Sequence, residues 1–419
     1  MTGFTRRKFI TSTLAVAGLG FTRLSHASRA RVVIIGGGFG GVSTARALRR
    51  LAPELTLTLI EPNRNFLSCP GSNHVIAGLR NDSGLSHDYT SLSRFCGIRW
   101  IPARVDTIDT RNRSVQLHDR TTIPYDRLII AAGIDFRWDA IEGYDESVSL
   151  RIPHAWKAGP QTLLLRNQLQ SMRQGGTVII TIPENPYRCP PGPYERASLM
   201  ARYLAQNNPR AKVLLLDAKT QFSKQKLFTQ AWQELYPGMI EWISSENEGK
   251  LDHIDAGNRT VHTEFGKHQA DVLNVIPPQQ AAALTRFSGL SDASGWCPVD
   301  PASFESTLHP GIHVIGDASN ALPMPKSAFS ARSQAEVCAA AVVRLLADSK
   351  PIPPKLINHC YSFVDSDQAI SVSGVYGYHP LSKTLDTLST GETPLHADRR
   401  LEARLARDWY ELFMRETFG

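Results

Sequence analysis

The run Arg31-Val32-Val33-Ile34-Ile35-Gly36-Gly37-Gly38-Phe39-Gly40-Gly41 constrains the fold of this chain more than any other stretch. Four consecutive β-branched residues read as a strand buried on both faces, the habit of parallel sheets. The glycines that follow stand in the order Gly36-x-Gly38-x-x-Gly41. In that order the first glycine makes a tight turn, the second lets backbone approach a pyrophosphate, and the third lets a helix lie close on the strand. A helix over 42–51 and a strand over 55–60 ending in Glu61 complete a βαβ unit. Glu61 falls twenty residues beyond Gly41, where a carboxylate accepts hydrogen bonds from a ribose. The unit is expected to bind a dinucleotide, with the phosphate charge met by amides at the helix start.

A later strand over 127–133 closes on Gly133, and a last one over 312–318 carries Gly316-Asp317 ahead of a helix over 328–346. An acid at the end of a late strand is well placed for the ribityl chain of FAD, so Asp317 and Gly133 join the cofactor-binding candidates. Between these strands a second βαβ unit interrupts the first domain, with strands at 176–181 and 212–217 around a helix at 197–207. Its first strand runs into Pro183-Glu184-Asn185-Pro186-Tyr187-Arg188-Cys189-Pro190-Pro191-Gly192-Pro193 instead of a glycine fingerprint. Prolines lack the amide donors and the flexibility that a pyrophosphate needs, so NAD(P)H is not the expected reductant. After Pro351-Ile352-Pro353-Pro354 the composition turns to mixed strand and turn residues, which suggests a separate C-terminal module.

Ahead of the first strand stand Thr5-Arg6-Arg7-Lys8-Phe9-Ile10 and a weakly apolar run over 11–21. This reads as a twin-arginine export signal, cleaved near 27–30, on a redox protein that loads its cofactor before crossing the membrane folded. The expected location is periplasmic. The apolar run is broken by Thr11, Ser12 and Thr13, and no later segment approaches the roughly eighteen apolar residues of a membrane span. The net charge of +7 is scattered, with no basic cluster interleaved with aromatics, which argues against nucleic acid as a partner.

The six cysteines, at 69, 96, 189, 297, 338 and 360, form no CxxC pair and no zinc-type Cys/His spacing, so no metal site is expected. Export permits disulfides without fixing any pairing. Cys189 stands in a rigid proline turn, and Cys360 in Asn358-His359-Cys360-Tyr361, just inside the C-terminal module. Cys338, in an alanine-rich helix, reads as a small buried hydrophobe, and Cys96 and Cys297 as structural. With no Cys-x-x-Cys-His, this chain cannot itself attach a c-type haem.

Longer runs are more specific than a glycine fingerprint. They are Ile60-Glu61-Pro62-Asn63, Ser72-Asn73-x-Val75-Ile76, Pro153-His154-Ala155-Trp156-Lys157-Ala158-Gly159, Arg188-Cys189-Pro190-Pro191-Gly192-Pro193-Tyr194-Glu195-Arg196-Ala197-Ser198, Ile276-Pro277-Pro278-Gln279, Gly295-Trp296-Cys297-Pro298-Val299-Asp300 and Pro323-Met324-Pro325-Lys326-Ser327. Through them the chain, from about Arg31 to Gly419, resembles the flavin-binding subunit of flavocytochrome c sulfide dehydrogenase.

The resemblance implies an α/β, glutathione-reductase-like fold with two Rossmann-type dinucleotide-binding domains and a C-terminal module. The expected division is a leader at 1–30 and an FAD-binding domain at 31–145 and 276–350. A second Rossmann-like domain without an NAD fingerprint would span 146–275, and an interface domain 351–419. FAD would be attached covalently through the sulfur of Cys69. The redox-active disulfide would join Cys189 to Cys360, and Lys326 would lie near the flavin pyrimidine edge. Glu195 is the candidate acid or base beside that disulfide. Departures from the family pattern fall at Phe66-Leu67, Pro70-Gly71 and Ala328. The implied activity oxidises sulfide to sulfane sulfur or polysulfide and passes electrons to a c-type cytochrome subunit, which carries the haem in a heterodimer. The alternatives are a sulfide:quinone reductase-like enzyme, or an accessory flavoprotein of a sulfur-oxidising system with no turnover of its own.

Overall fold

The computed structural model describes residues 30–264 and 266–419; the leader, with Arg6 and Arg7, lies outside the described residues. Strand β1 (Arg31–Ile35) is buried from Val32 onward because it is paired on both sides. Helix α1 (Phe39–Leu51) follows, then β2 (Thr56–Ile60), the short helix α2 (Ser72–Ile76), β3 (Arg99–Ile101) and β4 (Arg127–Ile130). These strands lie parallel in the order β3-β2-β1-β4. Helix α1 opens at Phe39, not at 42, so that Gly41 lies inside its first turn. A Cβ there would stand 1.8 Å from the Gly36 carbonyl oxygen, so only glycine lets the helix begin so close to the strand end.

The chain then builds a second parallel sheet from β5 (Thr177–Ile182), β6 (Lys212–Asp217), β7 (Ile240–Ile243) and β8 (Val272–Val275), in the order β7-β6-β5-β8. Its helices are α3 (Gly192–Asn207) and α4 (Gln225–Leu235). Helix α3 reaches further toward the N-terminus than the expected start at 197, because Pro193 falls in its first turn, where a missing N–H costs nothing. Strand β9 (Ile312–Val314) returns to the first sheet beside β4, and α5 (Ala328–Leu346) follows. The last strand is shorter than expected because Gly316, at φ +72°, turns the chain out of the extended conformation. Between β1 and β4 the strand order reverses, which opens a crevice beyond the carboxyl ends of the strands.

The C-terminal segment forms three long antiparallel strands, β10 (Lys355–Asp365), β11 (Gln368–His379) and β12 (Thr384–Glu392), and then a twenty-residue helix, α6 (Arg399–Phe418). Sequence composition shows strand and turn residues and a charged tail; the helix is the departure from it. Its charges face outward, while Ala403, Ala406, Phe413, Met414 and Phe418 are buried. Phe413 stacks on Phe39 and Phe418 on Phe66, each at 5.0 Å between ring centroids. Burial of each such ring stabilises the docked helix by ~1.5–3 kcal/mol. Tyr236 donates to the Val364 carbonyl at 3.0 Å, so the module rests on both preceding units.

Candidate active site

A cavity of about 1280 Å³ lies over the carboxyl ends of β1, β2, β4 and β9. It exceeds the ~300–1,000 Å³ of an ordinary small-molecule pocket and suits an extended dinucleotide. Gly36, Gly38, Glu61, Gly133 and Asp317 line it from the strand ends, and Cys69 from the loop before α2. Cys189 enters from the β5–α3 connection, Glu195 from the first turn of α3, and Cys360 from β10. Gly41 serves the packing beneath the loop.

The strand ends fit FAD. Gly36 has φ +102°, and a Cβ on it would meet the Ala131 carbonyl oxygen at 2.4 Å, whereas a Cβ on Gly38 would make only an ordinary contact with the Phe66 ring at 3.5 Å. Helix α1 starts there without a side-chain cap, which leaves its first amides to a phosphate. Glu61 lines the cavity and also holds the loop, accepting the Gly37 N–H at 2.9 Å on one oxygen and the Asn63 N–H at 2.9 Å on the other. Asp317 Oδ1 is buried with no hydrogen-bond partner, and Arg188 approaches its other oxygen only to 3.9 Å. An orphaned buried acceptor at a cavity wall is completed by a ligand hydroxyl. With FAD bound, Gly38 would meet phosphate, Glu61 a ribose and Asp317 a ribityl hydroxyl.

The corresponding tip of the second unit is filled by protein. Tyr194 stacks on Phe222 at 3.7 Å between centroids, and Trp242 meets Phe222 edge-on at 5.2 Å. Asp217, at the end of β6 where such folds bind a ribose, is fully buried. It accepts hydrogen bonds from Tyr194 at 2.5 Å and Trp242 at 2.9 Å, and Lys219 pairs with it at 2.6 Å.

At the other end of the cavity Cys189 sits in the left-handed region at φ +57°, a conformation that non-glycine residues adopt rarely and often at functional sites. Its N–H donates to the Lys326 carbonyl at 2.7 Å. All six cysteines are unbridged in this structure. Burial pushes the Cys189 thiol well up, and the neighbouring Cys360 and Glu195 add to the shift. Burial raises the Cys360 thiol too, opposed by the Lys224 ammonium and by hydrogen bonds with Ser327 and Asn358. Glu195 is no solvated helix-start carboxylate: its oxygens accept the Asn73 amide at 2.8 Å and the Phe363 N–H at 2.9 Å.

Lys326, placed near the flavin pyrimidine edge by the resemblance, is not among the residues that line the cavity. The ammonium donates to the Asp317 and Ser319 carbonyls, each at 2.8 Å, and lies 3.6 Å from the centroid of the Trp296 ring. Those partners hold it behind Asp317, where burial lowers it to about 8.

Comparison with known proteins gives this cavity a context. Residues 162–277 match the family model of the central region of the sulfide dehydrogenase (flavocytochrome c) flavoprotein chain. Residues 352–418 match the flavin-binding model of flavocytochrome c sulphide dehydrogenase, and residues 30–159 that of pyridine nucleotide-disulphide oxidoreductases. The sulfide dehydrogenase (flavocytochrome c) flavoprotein chain of Chlorobaculum thiosulfatiphilum is 58% identical over 45 residues, covering 11% of this chain and 94% of that sequence. The chain belongs to the sulfide dehydrogenase flavoprotein family. The mitochondrial sulfide:quinone oxidoreductase of Mus musculus is 24% identical over 343 residues, 77% of this chain and 72% of that one. The solved sulfide:quinone oxidoreductase of Aquifex aeolicus shares the fold, with a TM-score of 0.73, 19% identity, and coverage of 93% of this chain and 91% of that one.

In this flavoprotein, as a member of a sulfide-oxidising family that uses FAD, the partly exposed Arg188 and the buried Arg196 and Lys224 stand near the cysteines and were not evident as site residues from the sequence. Arg188 stands among Cys69, Asp317 and Cys189, and its guanidinium donates to the Trp156 carbonyl. Adjacency to Cys189 was the available signal. Arg196 is 2% exposed and donates to Asn73 Oδ1, Asn274 Oδ1 and the carbonyls of His154 and Ala155. Lys224 carries no local signal at all.

A Cβ on Gly192 would lie 2.8 Å from the Trp156 ring and 3.1 Å from Cys189 Sγ. Gly192→Ala is expected to retain flavin but slow its reduction by sulfide about tenfold to a hundredfold, through displacement of the sulfur; stopped-flow absorbance measures it. His154 Nδ1 accepts the Trp156 N–H at 2.9 Å and so must be neutral; burial lowers it to about 3. Above its ordinary value near 6.5 it is neutral folded or unfolded, so its contribution is complete. As pH falls toward 3 only the unfolded chain takes up the proton, and stability drops by ~1.4 kcal/mol per pH unit. Denaturant unfolding of His154→Asn, whose amide oxygen replaces the acceptor, is expected to lose one proton's worth of that slope.

Proposed function

We propose that this chain is the flavin subunit of an exported sulfide dehydrogenase, which oxidises sulfide to sulfane sulfur and passes electrons to a c-type cytochrome partner. The observation that carries the reading is the convergence of Cys189 and Cys360 on the cavity whose other end fits FAD. The arginine pair at 6–7 supports periplasmic export, and the absence of a haem-attachment motif supports a separate haem subunit.

In this reading the two cysteines form a disulfide. Hydrosulfide attacks Cys189 Sγ; a sulfur–sulfur bond forms to the incoming atom, the bond to Cys360 breaks, and its electron pair leaves on Cys360 as a thiolate. A second hydrosulfide takes the outer sulfur from the neutral Cys189 persulfide as HSSH, and the electron pair of the broken sulfur–sulfur bond leaves on Cys189 as a thiolate. Arg188, Arg196 and Lys224 supply positive charge around these anions. FAD, when bound, supplies the two-electron acceptor that returns the thiol pair to disulfide and hands electrons on singly. Cys69, on the cavity wall, would carry the covalent link to it.

A second reading, quinone as acceptor, is favoured by one observation. Leu401, Leu405 and Leu412 of α6 are 46%, 44% and 44% exposed, an apolar stripe on the outer face of the helix. Among the described residues no helix is long and apolar enough to cross a membrane. The test is anaerobic mixing of the purified protein with sulfide, followed by a c-type cytochrome or a short-chain quinone. Flavin bleaching with cytochrome reduction supports the first reading, and bleaching with quinone reduction alone supports the second. No bleaching points to an accessory flavoprotein.

A further inference from the structure

We propose that Lys224 is the positioning residue of the cysteine pair, its buried ammonium held on the Cys360 face of β10 to stabilise the thiolate released when the disulfide opens. The role as stated rests on the sulfide reading above. Alternate residues of a strand share a face, so Asn358, Cys360 and Ser362 project together from β10. Lys224 Nζ donates to Ser362 Oγ at 2.7 Å, which places the ammonium on that face. On the other side of Cys360, Asn358 Oδ1 accepts hydrogen bonds from Ser327 at 2.6 Å and Ser330 at 3.1 Å, with the Cys360 thiol 3.5 Å away. The sulfur therefore sits between a fixed polar clamp and a cation.

Lys224 is itself held from two strands of the C-terminal sheet. It is 1% exposed, has φ +62°, and its backbone N–H donates to Glu392 Oε1 at 3.1 Å on β12. Burial of an ammonium is costly unless a counter-charge compensates it. Cys360, Glu195 on α3, Cys189 on the proline turn and Glu392 all stand around Lys224 and favour its charged form, against the burial that opposes it. His359 and Tyr376, on β10 and β11, complete the titratable surroundings of the two groups. While the disulfide is closed the ammonium lacks the counter-charge that a Cys360 thiolate would supply. Opening the bond leaves one negative charge on Cys360, beside a cation that is already fixed on its face.

The test reads the thiol directly and needs no turnover. In flavin-loaded Cys189→Ser protein, where Cys360 is free, the rate of alkylation by iodoacetamide is measured against pH by mass spectrometry of the Cys360 peptide. Adding Lys224→Met is expected to slow alkylation about tenfold near neutral pH and to shift the profile up by about one pH unit. Lys224→Arg is expected to keep the original profile. Ser362→Ala, which retains the charge but releases its anchor, is expected to give a smaller shift in the same direction. Superimposable profiles for Lys224 and Lys224→Met overturn the proposal, as does a Cys360 that resists alkylation at every pH. If Lys224→Met does not fold, Ser362→Ala decides, and an unchanged profile overturns it. A shifted profile in a protein whose flavin sulfide does not bleach would retain the lysine's role toward the thiolate and reject sulfide as the substrate.

Discussion

Cys360→Ser is expected to abolish flavin reduction by sulfide, by about three orders of magnitude or more, while the protein keeps its fold and its flavin. The loss is large because the step requires a disulfide, which serine cannot form; Cys189 remains a thiol, and hydrosulfide has no sulfur–sulfur bond to open. The fold is spared because the thiol lies on the cavity wall, and a serine hydroxyl can donate to Asn358 Oδ1 in its place. Cys189→Ser is expected to show the same loss, with Cys69 unable to substitute from the loop before α2. Stopped-flow absorbance with sulfide, beside the visible spectrum of the unmixed protein, separates lost chemistry from lost cofactor. Retention of rapid bleaching in either variant would remove the cysteine pair from the mechanism.

Arg196→Leu is expected to destabilise the protein by ~3–5 kcal/mol, the scale of breaking a buried charged network. The guanidinium lies 4.8 Å from the centroid of the Trp156 ring and satisfies Asn73 Oδ1 at 3.0 Å, Asn274 Oδ1 at 2.7 Å and the His154 carbonyl at 3.1 Å. Leucine fills part of the space but leaves Asn73 Oδ1 and Asn274 Oδ1 without the guanidinium donor, while the His154 carbonyl keeps only the Asn274 amide. Asn73 also donates to Glu195, so the disturbance reaches the carboxylate beside the cysteines. Denaturant unfolding of the holoprotein measures the change, and Arg196→Lys, which preserves the charge and some donors, is expected to recover part of it. A loss below about 1 kcal/mol would show that the network contributes little to stability.

The first βαβ unit was legible because its determinants are local. A run of β-branched residues and glycines at fixed offsets specify a strand, a turn and a close-packed helix, and Gly36 and Gly41 meet the backbone at distances that exclude any side chain. Cys189 and Cys360 were each conspicuous in their surroundings, but their common cavity depends on packing β10 against α3, which no local pattern encodes. Helix α6 escaped notice because its buried residues are spread among many charges and find their partners, Phe39 and Phe66, at the opposite end of the chain. Lys224 lies in an ordinary polar turn whose importance appears only when β10 and β12 close over it. The direction of the Lys326 side chain, likewise, follows two carbonyls and the Trp296 ring, which only the fold brings to it.

Mass spectrometry of the protein after brief anaerobic exposure to sulfide, with free thiols and persulfides alkylated at once and the cysteine peptides separated, tests the central claim most directly. Sulfide opening of a Cys189–Cys360 bond predicts one additional sulfur on the Cys189 peptide and a newly alkylated thiol on the Cys360 peptide. Additional sulfur on the Cys69 or Cys360 peptide instead, or on none, would contradict it.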